Sequence, residues 1–157
     1  MEGIWNQLQL GALQTPFCMV IWGFSGTGKT TLTLELAHAW SGESIFYAAE
    51  TGLGSSIQGL VARLEVSNFD ICAPVSWQDI LETARRKPYS LVAIDSLQRL
   101  RLDPGAIRSE FVDNNVSVIC TSQTNAAGGV RGGMAVQHEC DLSINLPAYS
   151  KYAIKKN

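Results

Sequence analysis

Apolar residues in this chain fall into short continuous runs, separated by stretches in which they recur every three or four positions. Phe17–Trp22, Ile45–Ala49, Leu91–Ile94 and Val116–Thr121 are apolar-rich segments of strand length, the pattern of strands covered on both faces of a parallel sheet. Leu32, Leu36, Ala39 and Trp40, then Ile57, Leu60, Val61 and Leu64, recur at helical spacing. They predict a helix behind Thr30 and another over Ser55–Leu64. Asn68–Cys72 predicts a short strand closed by Pro74. Ser76 with Asp79 reads as a capping box opening a helix from Trp77 to Lys87. Asp103–Pro104 reads as an N-cap and first-turn proline opening a helix to about Asn114. Ala126–Gly133 is glycine-rich and predicts a mobile loop, followed by a short helix over Met134–Glu139 and a strand over Leu142–Leu146. Pro147 is expected to turn the chain into a last strand, Lys151–Lys156. Strands alternating with helices predict an α/β domain over residues 17–157, three layers around a mostly parallel, doubly wound sheet. Residues 1–16, with Ile4, Leu8 and Leu13, read as an N-terminal helix or arm.

Composition narrows this only a little. The 157 residues are 46% hydrophobic and 17% charged, which suits a packed core and argues against disorder. The formal net charge of −2 means that a polyanionic partner would have to be held by a local patch or an assembly. No run approaches the roughly 20 apolar residues of a membrane span, and Met1–Gln9 lacks the charged-then-apolar order of a secretory signal. Cys18, Cys72, Cys120 and Cys140 are widely spaced, without paired metal-ligand spacing, and fit a reducing cytoplasm. His138, Cys140 and Asp141 are poorly spaced for a metal site.

Between the first apolar run and the first helix lies Gly23-Phe-Ser-Gly-Thr-Gly-Lys-Thr30, which fits the phosphate-loop pattern with Gly23, Gly28, Lys29 and Thr30 at the fixed positions. Glycines let backbone N–H groups curl round a polyphosphate. Lys29 can reach the β and γ phosphates, and the Thr30 hydroxyl can complete a magnesium shell. Strand, loop and helix in that order place the helix N-terminus on the anion. Ser25, Gly26, Thr27, Gly28, Lys29, Thr30 and Thr31 thus form the predicted nucleotide cradle.

Leu91–Asp95 places a carboxylate at the end of a buried strand, where Asp95 can hold the magnesium ion on the same sheet edge. Ser96 follows it, where many phosphate-loop motor ATPases carry a glutamate that activates water. Glu50, at the tip of the second strand, is the candidate replacement base; a solvated loop glutamate is the alternative. Gln123, ending the strand after Asp95, is the candidate γ-phosphate sensor.

The phosphate loop, Tyr47-Ala-Ala-Glu50, Leu91-Val-Ala-Ile-Asp-Ser-Leu-Gln98, Thr121-Ser-Gln123 and Ala135–Asp141 together resemble the RecA superfamily of P-loop NTPases. The resemblance is nearest in flavour to its bacterial RadA (Sms) branch and the related DnaB-type and KaiC-type ATPases. It covers most of residues 17–157. It implies a Mg²⁺-dependent ATP hydrolase with Glu50 as base and Gln123 as γ-phosphate sensor. It also implies a homo-oligomeric ring or filament with ATP between subunits, and single-stranded DNA on two loops. The first loop would fall around Arg99, Arg101 and Arg108, the second over Thr124–Gly133 with Arg131; solvated surface charge is the alternative for each. Lys155 or Lys156 would reach ATP across a subunit interface, or belong to a basic tail. RadA proteins also carry a zinc-binding cysteine module before this core and a protease-like domain after it, neither of which is found in these 157 residues. The function implied is recombination, strand annealing or repair. A nucleotide-dependent assembly or regulatory ATPase that does not bind DNA, and a small P-loop kinase, are the alternatives.

Overall fold

The apolar runs become strands of a single seven-stranded sheet in a computed structural model that describes residues 3–8, 13–148 and 151–156. In chain order the elements are α1 (Gly3–Gln7), β1 (Cys18–Gly23), α2 (Lys29–His38), β2 (Ser44–Ala48), α3 (Ser55–Leu64), β3 (Asp70–Cys72), α4 (Trp77–Ala84), β4 (Leu91–Asp95), α5 (Leu97–Leu100), α6 (Pro104–Phe111), β5 (Ser117–Gln123), α7 (Gly133–Glu139), β6 (Leu142–Ala148) and β7 (Lys151–Lys156). The sheet order is β3-β2-β4-β5-β1-β6-β7. Its first six strands are parallel, and β7 closes one edge antiparallel to β6.

Every residue of β1, β2 and β4 is buried, as continuous apolar strands between two helical layers must be. Alternation along β1 divides the core. Met19 and Ile21 pack with Leu34, Leu36 and Ile57 on the face carrying α1, α2 and α3. Val20 and Trp22 pack with Ile80, Ile107 and Val136 on the face carrying α4 to α7. On the first face Trp5 of α1 meets Phe17 and Trp40 at ring separations of 6.0 and 5.6 Å, so the N-terminal helix is pinned by aromatic contacts.

The capping box at Ser76 forms as expected. Its hydroxyl accepts the Asp79 N–H at 3.2 Å, and the Asp79 carboxylate accepts the N–H groups of Ser76 and Val75. Ser76→Ala is expected to lower stability by about 1 kcal/mol, measured by urea unfolding; no loss would mean that Asp79 alone satisfies the helix start.

Three boundaries differ from the sequence reading. α4 ends at Ala84 rather than Lys87, and Arg85 and Lys87 leave it to pair with Glu110 and Asp70 at 3.0 and 2.6 Å. α6 ends at Phe111 and tightens into a 3₁₀ turn over Val112–Asn114. Pro147 does not turn the chain. It lies inside β6, between Asn145 and Ala148, where the pairing to β7 shifts register and a missing N–H is tolerated. No described helix is long and apolar enough to cross a membrane.

Candidate nucleotide-binding site

Parallel strands bring their carboxyl ends to one edge, and there β2, β4, β5 and β1 end side by side on Ala48, Asp95, Gln123 and Gly23. Register fixes the neighbours: Gly23 pairs with Gln123, and Ala48 with Asp95. The loop from Gly23 runs directly into α2. Gly26 and Gly28 take left-handed φ values of +78° and +95°, a conformation that penalises side chains, and Gly28 is the N-cap of α2. The N–H groups of the first turn therefore face the cleft.

Lys29 curls back over its own loop, Nζ donating to the carbonyls of Gly23 and Phe24 at 3.1 and 2.8 Å. Burial pulls its pKa below the usual lysine range, against the fields of Asp95 and Glu50. Thr30 Oγ1 donates to Asp95 Oδ2 at 2.7 Å, and Thr121 Oγ1 donates to the other carboxylate oxygen. Burial pushes the Asp95 carboxyl above its ordinary pKa, while these two hydroxyls hold it down. A carboxylate and a hydroxyl at hydrogen-bond distance beside a phosphate cradle form an all-oxygen donor set, which suits a hard cation such as Mg²⁺.

Glu50 is tied to Asp95 through the backbone, its N–H donating to the Asp95 carbonyl at 2.8 Å. Its carboxylate accepts Gln123 Nε2 at 3.4 Å, and Gln123 Oε1 in turn accepts Arg131 Nη1 at 3.2 Å. Gln98, absent from the sequence-based candidates as a site residue, clamps this end of β5. Its amide donates to Ser122 Oγ at 2.7 Å and accepts the Gln123 N–H at 3.2 Å. The glycine-rich segment is not an open loop. Thr124 bridges Val130, and Asn125 Oδ1 accepts the N–H groups of Ala127 and Gly129. This tight turn returns Arg131 to Gln123.

The arginines separate. Arg101 and Arg131 line a hollow of about 390 Å³ with Gln98. Arg99 lines another, of about 340 Å³, with Glu50 and Val75. Arg108 does not join the expected patch: it donates to the Glu139 carbonyl at 2.8 Å and pairs with Asp141 at 3.3 Å, tying α6 to the start of β6. Asp141 also accepts the Cys18 N–H. The backbones of Lys155 and Lys156 run opposite Ser143 and Leu142 on β7; their side chains lie outside the described residues.

The cleft over the phosphate loop has a volume of about 710 Å³ and a wall that sequence reasoning missed, formed by Ser56, Gly59, Leu60 and Arg63 of α3. Leu60 belongs to the apolar stripe of the helix and borders the cleft as well, whereas Ser56, Gly59 and Arg63 lie off that stripe and reach the cleft only through the placement of α3 beside the phosphate loop.

No family model matches the sequence. The chain is 31% identical over 102 residues to the DNA repair protein RadA of Campylobacter jejuni, an alignment covering 60% of this chain and 23% of that relative. Less than a quarter of the relative's length is thus spanned. The fold is similar to the crystal structure of the RadB recombinase, with a TM-score of 0.67 at 16% identity, covering 99% of this chain and 87% of that one. Sequence and fold together support the resemblance to RecA-superfamily P-loop ATPases of the RadA flavour.

Proposed function

We propose that this RecA-type P-loop protein hydrolyses ATP with Mg²⁺ and couples turnover to single-stranded DNA, as a homo-oligomer in recombination, strand annealing or repair. The observation that carries the reading is the convergence of Lys29, the Thr30–Asp95 pair and the Glu50–Gln123 pair on one sheet edge. Phosphoryl transfer needs mainly positioning and charge neutralisation. Loop N–H groups and Lys29 hold the phosphates. Thr30 and Asp95 hold magnesium, which when bound neutralises charge on the phosphate oxygens. Glu50 takes the proton of the attacking water, and Gln123 senses the γ-phosphate. Arg131 reaches that sensor from the glycine-rich turn and shares its hollow with Arg101, which gives DNA phosphates a site connected to the catalytic groups. Lys155 or Lys156 of a second copy would supply further charge to the nucleotide, and the cytoplasm is the proposed compartment.

The test is ATP turnover with and without single-stranded DNA over a salt series, with Lys29→Ala as the inactive control. Turnover is expected to rise with DNA, and the stimulation to fade as salt competes for the phosphates. Turnover indifferent to DNA would sink the coupling and favour a nucleotide-dependent assembly ATPase. Phosphate transfer to a small acceptor would establish a kinase.

A further inference from the structure

We infer that Gln98 is a positioning residue for turnover: it fixes the base of Gln123 and the return of Arg131 as one unit, and so links the arginine hollow to the nucleotide cleft. The inference rests on the hydrolysis reading above and deepens it, naming how that site is regulated.

β4 ends on Asp95, Ser96 is the N-cap of the short helix α5, and Leu97 is buried in the core. Gln98 comes next, half-buried, and lines the hollow that holds Arg101 and Arg131. It is not among the residues that line the phosphate-loop cleft. Any effect it has on turnover must therefore pass through another residue.

Its side-chain amide is used at both ends. Oε1 accepts the Gln123 N–H at 3.2 Å, while Nε2 donates to Ser122 Oγ at 2.7 Å and to the Arg131 carbonyl at 3.3 Å. A backbone N–H can only donate and a carbonyl can only accept, so the amide has one productive orientation. Ser122, fully buried, donates its own hydroxyl to the Arg131 carbonyl at 3.0 Å, and the Arg131 N–H returns to the Gln123 carbonyl at 2.7 Å. Both backbone polar groups of Arg131 are thus tied to the end of β5, and Gln98 holds the junction from α5.

The tip of Gln123 is held more lightly, by exposed bonds of 3.4 Å to Glu50 and 3.2 Å from Arg131. A sensor must move at its tip and start from a fixed base, and Gln98 supplies the base. Misplacing such a group by about 1 Å can cost up to ~10²-fold in rate. An anion drawn to Arg131 in the hollow pulls on the same backbone that Gln98 and Ser122 hold, and so on Gln123.

The experiment measures ATP turnover, with and without a single-stranded DNA oligonucleotide, in the wild type, Gln98→Met and Gln98→Glu. Trypsin cleavage after Arg131 is read in parallel. Methionine keeps much of the length and bulk of glutamine and makes none of these bonds. Glutamate keeps an acceptor for the Gln123 N–H but no donor, and it draws the Ser122 hydroxyl away from the Arg131 carbonyl. Gln98→Met is expected to lower basal kcat by about tenfold with KM within about twofold, the signature of lost positioning rather than lost binding. Gln98→Glu should recover basal kcat to about a third of the wild-type value. In both variants DNA stimulation should disappear, and cleavage after Arg131 should quicken by about fivefold.

A merely structural role would lower the melting temperature without the split between kcat and KM or the partial rescue by glutamate. Wild-type kcat in Gln98→Met would overturn the inference, as would a rise in KM alone, no gain of glutamate over methionine, or DNA stimulation intact in both variants. A wild type that turns over ATP but ignores DNA would sink the coupling proposed above, while basal kcat and trypsin cleavage would still decide on Gln98. A wild type without turnover would sink the hydrolysis reading, and the inference with it.

Discussion

Glu50→Gln is expected to slow ATP turnover by about 10²–10⁴-fold, the usual range for a lost general base, while Mg-ATP affinity stays within about twofold. The amide is isosteric with the carboxylate and can still accept Gln123 Nε2 through its carbonyl. The backbone bond from the residue 50 N–H to the Asp95 carbonyl does not involve the side chain. Glu50 is exposed, so no buried charge is created or removed. What disappears is the group able to take a proton from water. Lys29→Ala should differ in kind. It removes the ammonium over the loop carbonyls of Gly23 and Phe24, so binding and turnover should fall together. Single-turnover hydrolysis, set beside calorimetric binding of ATP, separates the two. Hydrolysis unchanged in Glu50→Gln would remove Glu50 from the chemistry and leave the missing base to another group.

The contrast between these variants mirrors what could be read from the chain without coordinates. The phosphate loop was legible because its chemistry is local: glycines, lysine and threonine at fixed spacing between a strand and a helix. Strand ends were legible too, since a buried run that stops on Asp95 or Gln123 must deliver that residue to the sheet edge. Partners distant in sequence were not. Arg108 looks like Arg101 in the sequence, yet Asp141 claims it from the start of β6. Composition marks the glycine-rich stretch as a loop, but not the turn within it, which one side chain, Asn125, shapes by accepting two backbone N–H groups. Thr121 read as the end of a strand, and only the register of β4 beside β5 puts its hydroxyl on Asp95. The α3 wall was hidden for a related reason: a helix advertises its apolar stripe, while the face that meets a cleft depends on where its neighbours stand.

Gly23→Ala is expected to injure fold and site together, unlike either variant above. Gly23 closes β1 between β5 and β6, paired with Gln123 on one side and Leu146 on the other. A Cβ at this position would lie 2.4 Å from the Leu146 carbonyl oxygen and 2.7 Å from Thr27 Oγ1. Thr27 could rotate only by giving up its bond to the Phe24 carbonyl at 2.9 Å. Leu146 is backbone, so β6 or the loop must move. Overpacking of this sort costs about 1–3 kcal/mol, which for a domain of this size lowers the melting temperature by roughly 2–12 °C. The displaced residue also carries the carbonyl that accepts Lys29 Nζ and the Thr124 N–H. Nucleotide affinity should therefore drop even well below the new midpoint, by about tenfold or more, the factor that corresponds to a loss of roughly 1.4 kcal/mol of binding. Thermal unfolding with and without Mg-ATP measures both effects. If the midpoint falls but ATP restores it as fully as in the wild type, the loop has absorbed the methyl group and the strain lies in β6 alone. If the midpoint does not fall, Leu146 yields more easily than a central parallel strand should, and the tight seat of the phosphate loop on β6 is not what holds it in place.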